Sequence, residues 1–128
     1  MKNLILGVAA ACMLMPLMAS AHDEECTNRD QANEHIGLLK VAIDNASYYK
    51  RGKLDLNSRD EQGMWSKAMA AESYVAEHKY ADAIGKLDDI VTKVSDLLDA
   101  PKEKIHAMDG EAILDLTMDA IYCVSDLQ

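Results

Sequence analysis

Between Tyr80 and Leu98 apolar residues recur in steps of four and three: Tyr80, Ile84, Leu87, Val91, Val94 and Leu98, flanked by Ala83, Ile90 and Leu97. That spacing lays one apolar stripe along one face of an α-helix, whereas a half-buried strand needs a period of two. Pro101 ends the segment, because proline brings no amide to a continuing helix. The same period returns in three other places. From about Asn28 to Tyr49, Ile36, Leu39, Ile43 and Ala46 form a stripe that Leu38, Ala42 and Tyr49 widen, up to Arg51-Gly52. From Ser58, which with Glu61 has the spacing of a capping box, the line runs through Met64, Ala68, Ala71 and Val75, with Trp65 and Met69 beside it and read as core. From Asp109, the expected N-cap, a last segment carries Ile113, Leu116, Ala120, Cys123, Val124 and Leu127. No stretch shows a period of two, and 6 Gly and 2 Pro are too few for a turn-rich all-β chain. The expected fold is all-α, an antiparallel four-helix up-down bundle.

Residues 1–21 stand apart from that pattern. Met1-Lys2-Asn3 is a short positive start, Leu4 to Met15 is apolar, Pro16 breaks the run, and Ala19-Ser20-Ala21 has the small-x-small form of a signal-peptidase site. The apolar run is shorter than the ~20 residues a spanning helix needs, and Asp23, Glu24 and Glu25 follow at once. The expectation is a cleaved signal peptide, a mature single domain over 22–128 with no membrane span, and a periplasmic or secreted location. Of the 3 cysteines, Cys26 and Cys123 then remain, one near each end. With no C-x-x-C or Cys/His spacing beside them, an exported pair reads as a disulfide. An up-down bundle brings the start of its first helix and the end of its fourth to one end, where that bond would form. Closing a loop of about 100 residues gives about 4.7 kcal/mol in the chain-entropy treatment.

The segment from about Ile36 to Val124 resembles the FIMAH domain, a small helical module attached to secreted bacterial proteins. The carrying residues are Gly63-Met64-Trp65-Ser66-Lys67, Ala70-Ala71, Tyr80-x-x-Ala83-x-x-x-Leu87-x-x-Ile90-x-x-x-Val94, Lys104-Ile105 and Ala112-x-Leu114. Ile90 stands where the family is more often aromatic. The resemblance implies an exported accessory or binding module and brings no catalytic residues with it.

Charge narrows the function classes. The net charge is −9, from 13 Lys+Arg against 22 Asp+Glu, which argues against nucleic acid, because counterion release needs clustered cations. The sequence contains no G-x-S-x-G, H-E-x-x-H or glycine-rich phosphate loop. The expectation is therefore a binding module and not an enzyme. The two loops at one end of the bundle hold Lys50, Arg51, Lys53, Arg59, Lys102 and Lys104. Residues 50–59 and 101–106 together carry 6 basic against 2 acidic residues. One reading is an anion-binding end; the other is that Lys and Arg beside helix C-termini complement the macrodipole. At the opposite end, Asp23, Glu24, Glu25, Asp30, Glu77 and Asp82 form a candidate surface for a basic partner protein.

Histidine supplies the alternative class. Cleavage before His22 would leave an amino-terminal histidine whose amine and imidazole chelate Cu(II), with His78 at the same end as a further ligand of a copper or redox site. No cofactor is expected on the main reading. Protein recovered after export should begin at His22 by intact mass and amino-terminal sequencing; a chain that keeps Met1 would sink the export reading.

Overall fold

A computed structural model of the chain describes residues 25–128. The expected signal segment 1–21, together with His22, Asp23 and Glu24, lies outside the described residues. The four expected helices are present: α1 (Arg29–Asn45), α2 (Arg59–Ala76), α3 (Tyr80–Asp99) and α4 (Ala107–Asp126). Each packs on its two neighbours around a ring, α1 on α2, α2 on α3, α3 on α4 and α4 on α1. Their directions alternate. Arg29 at the start of α1 donates to the Ala76 carbonyl at the end of α2, over 2.9 Å. Lys67 pairs with Asp89, and Lys93 with Asp60, as antiparallel α2 and α3 require.

Burial follows the apolar lines with one rotation. In α3 the fully covered residues are Ala83, Leu87, Ile90, Val94 and Leu97, while Tyr80, Ile84, Val91 and Leu98 are half-buried. The stripe therefore points between the two lines the sequence offers, because α3 touches neighbours on both sides. The core continues through Ala32, Ile36, Leu39 and Ile43 of α1, Met64, Ala68, Ala71 and Val75 of α2, and Ile113, Ala120, Cys123 and Val124 of α4. Thr117 is a fully buried polar residue, and its hydroxyl donates to the Ile113 carbonyl.

Several helix ends depart from expectation, each for a local reason. α1 starts after Asn28, whose side chain accepts from the Gln31 amide while the Gln31 side chain accepts from the Asn28 amide, a full capping box. Ser58 accepts from the Glu61 amide, so that cap is half a box. The N-cap of α4 is His106; Asp109 lies in the first turn and accepts from the Ser47 amide. Leu38 is exposed on α1. Trp65 and Met69 are 39% and 40% exposed, against the core reading. The Lys40 ammonium lies 5.4 Å from the Trp65 ring centroid, 3.6 Å from the Met69 sulfur and 2.8 Å from Glu72, so the indole forms a cation–π contact on the α1–α2 surface.

The largest difference is the end of α1. The sequence continues an apolar line through Ala46 to Tyr49, yet the helix stops at Asn45. The next residues pair with the α3–α4 connection: the Tyr49 amide donates to the Lys104 carbonyl, the His106 amide to the Ser47 carbonyl, and Tyr48 bridges Ile105. Tyr48 is buried, and its hydroxyl donates to the Ile43 carbonyl, one of the groups a helix C-terminus leaves without an intrahelical partner. Beyond it lies a two-stranded hairpin, β1 (Tyr49–Lys50) and β2 (Lys53–Leu54), turned by Arg51 and Gly52.

The Cys26–Cys123 disulfide joins the start of the first helix to the last turns of the fourth, with Cα atoms 5.1 Å apart and a sequence separation of 97. Among the described residues no helix is long and apolar enough to cross a membrane. Replacing both cysteines by serine should lower the unfolding free energy by about 2–5 kcal/mol. Urea titration of wild type and variant measures it, and coincident midpoints would refute a stabilising role.

Candidate functional site

The α1–α2 hairpin and the α3–α4 connection enclose a cleft of about 820 Å³, walled by Tyr49, Lys50, Arg51, Arg59, Lys102 and Lys104, with Gly52, Asp55, Asn57, Asp60 and Glu103 between them. Five of the six basic residues expected at this end thus line one concavity. The sixth, Lys53, sits opposite Lys50 in the hairpin and stays outside the wall.

Complementing the macrodipole does not account for these cations. Among the described residues no helix carries a basic residue in its last turn, and the dipole's influence fades within that turn. Arg59 even opens α2, at the end where the dipole disfavours a cation. Among the described residues, none of the six forms an ion pair. The cleft's carboxylates are partly engaged: Asp60 pairs with Lys93 at 3.2 Å, and Asp55 accepts from the Asn57 amide.

Backbone geometry presents the cations. Arg51 and Gly52 both have positive φ, 55° and 79°, the pattern of a tight turn whose twist suits a two-residue hairpin. Glycine adopts it freely, but arginine is strained there. The strain is held by Tyr48 and Tyr49, which anchor β1 to the Lys104–His106 segment.

The end is less uniformly positive than the loops alone imply. Asp44, Asp60, Glu61 and Asp109 surround Tyr48, and burial first, then these carboxylates, push its hydroxyl above the ordinary tyrosine range. Glu61 is also raised, by desolvation first and then by the neighbouring Asp44 carboxyl, to which it is hydrogen-bonded. A carboxyl raised on folding favours its protonated form, so Glu61 weakens the fold at neutral pH and the strain is relieved as pH falls. It lies in a separate shallow depression beside Trp65.

At the opposite end Glu25, Asp30 and Asp82 are exposed. Glu77 pairs with Lys79 at 3.3 Å. Asp126 accepts from the Cys26 amide, so its carboxylate helps to hold the crosslinked start of the chain.

His78 occupies a structural position. It follows the Glu77 C-cap with φ of 62°. The Lys79 amide returns to the Tyr74 carbonyl and the His78 amide to Val75, which is a Schellman ending with histidine at the position glycine normally takes. Its ring nitrogen lies 3.3 Å from the Tyr80 hydroxyl. The proposed copper partner His22 lies outside the described residues.

Sequence reasoning found the cations but not the hairpin, and it missed the cation–π cluster and a second grouping: one ligand atom each from Cys26, His35 and Cys123 lies within 4.8 Å of the others. No family model, curated protein or solved structure matches the chain. Replacing His78 by glycine should raise stability by about 1 kcal/mol, because the left-handed backbone is strained with a Cβ. A lower urea midpoint in His78→Gly would show that the imidazole contacts outweigh that strain.

Proposed function

We propose that the protein is an exported, non-enzymatic helical module that binds a compact anionic ligand in the cleft between the hairpin and the α3–α4 connection. One observation carries the reading: Lys50, Arg51, Arg59, Lys102 and Lys104, drawn from two distant parts of the chain, line a single cleft without ion-pair partners among the described residues. Cations held this way keep their charge available, and a multivalent anion would be bridged by both loops at once. Arg51 supplies a planar, forked donor, while the lysines act as mobile point charges.

Export is supported by the form of residues 1–21 and is compatible with a crosslink between buried cysteines. The likeness to the FIMAH domain points the same way, toward an accessory module, and rests on the residues quoted for it alone.

Inorganic phosphate and pyrophosphate, titrated into isotopically labelled protein at low ionic strength, should shift the amide resonances of Lys50, Arg51, Gly52, Lys102 and Lys104. Salt should weaken the effect by screening. A charge-assisted hydrogen bond contributes about 1.5–3 kcal/mol, so Arg51→Gln or Lys104→Gln should each weaken pyrophosphate binding about tenfold or more. Shifts spread evenly over the surface, or affinities unchanged in both variants, would refute the cleft as the binding site.

A further inference from the structure

At the crosslinked end of the bundle lies the group of Cys26, Cys123 and His35. Cys26 precedes α1, Cys123 lies in the last turns of α4, and His35 comes from α1. Their ligand atoms all lie within 4.8 Å of one another. The two cysteines are 5% and 2% exposed, and His35 is half-buried. As a disulfide the sulfurs are unavailable to a cation, since only a thiolate is a strong metal ligand.

We propose that reduction converts this end of the protein into a site for a soft cation, Zn²⁺ or Cu⁺, held by the Cys26 and Cys123 thiolates and the His35 imidazole. Two thiolates and one imidazole from a protein leave a fourth position for water in a tetrahedral zinc site, and soft sulfur ligands also select Cu⁺. The reductant is a dithiol. Its two electrons enter the Cys26–Cys123 bond, its two protons pass to the released sulfurs, and it leaves as its own disulfide. The cation then displaces both thiol protons as it binds.

Two observations favour capture over simple release of the chain end. Ala32 and Ile36 of α1 and Ala120 and Val124 of α4, within four residues of His35 or Cys123 in sequence, are fully buried in the common core, and α1 packs on α4. The Cys26 amide also donates to Asp126 at 3.0 Å, which keeps Cys26 beside the end of α4. Apolar packing and this hydrogen bond hold the three ligands together once the covalent bond is gone. The cation would restore the link between the first and last helices that reduction removes, since metal binding is coupled to folding where the ligands come from distant segments.

The test uses protein exported with its own residues 1–21, purified oxidised, then reduced with a phosphine and titrated with Co²⁺. The expected result is one equivalent of Co²⁺ with thiolate-to-cobalt charge-transfer absorption, displaced by Zn²⁺, and no such absorption in the oxidised protein. Groups outside a direct ligand shell already change metal affinity by about 10–100-fold, so His35→Ala should weaken Co²⁺ binding at least about tenfold and alter the visible bands. Absence of the thiolate absorption in reduced protein, or an unchanged His35→Ala variant, overturns the proposal. Far-UV circular dichroism covers the case in which reduction loosens the bundle: recovery of helical signal on adding Zn²⁺ supports the site, and no recovery overturns it.

Discussion

Three backbone contacts between the two loops at one end of the bundle decide where everything else at that end can be. The Tyr49 amide reaches the Lys104 carbonyl, the His106 amide reaches Ser47, and Tyr48 lies against Ile105. They end α1 four residues short of its apolar line, because backbone groups that would otherwise continue the helix are committed to a segment more than fifty residues away. They bury Tyr48, whose hydroxyl then satisfies the Ile43 carbonyl. They also fix both rims of the cationic cleft, so Lys50 and Arg51 face Lys102 and Lys104 across a defined space. Isolated loop lysines would sample many positions; here the backbone between them is pinned, which lowers the ordering cost of binding.

The four helices were legible because each has an apolar face that only a helical period explains. The start of α3 at Tyr80 and its end before Pro101 follow directly from that period and from proline chemistry. The Cys26–Cys123 bond was legible from topology, since an up-down bundle places those two positions together. Trp65 was not legible. An indole next to a core methionine looks apolar in sequence, and only the approach of Lys40 from the neighbouring helix shows that its face is occupied by a cation.

The cleft was half legible. Its cations could be grouped because both loops belong to one end of the bundle. The hairpin that aims them could not, since a two-residue strand has no period to detect and its partner is remote in sequence. The same limit hid the role of Asp109, which looks like a helix cap but accepts from Ser47 instead. His78 shows the converse case: a residue that attracts a chemical reading in sequence proves to occupy a chain-reversal position set by the end of α2.

The spacing of the crosslink has a consequence for biosynthesis. Because its two cysteines stand 97 positions apart in sequence, the bond cannot form until α4 has been made and has docked against α1. During synthesis Cys26 therefore emerges long before its partner and has no Cys123 with which to pair. A chain interrupted anywhere before Cys123 would lack that partner permanently, whatever the quality of its first three helices. The Cys26–Cys123 bond thus separates, by a covalent mark, every chain in which α4 has been made as far as Cys123 and has docked on α1 from every chain interrupted before that residue.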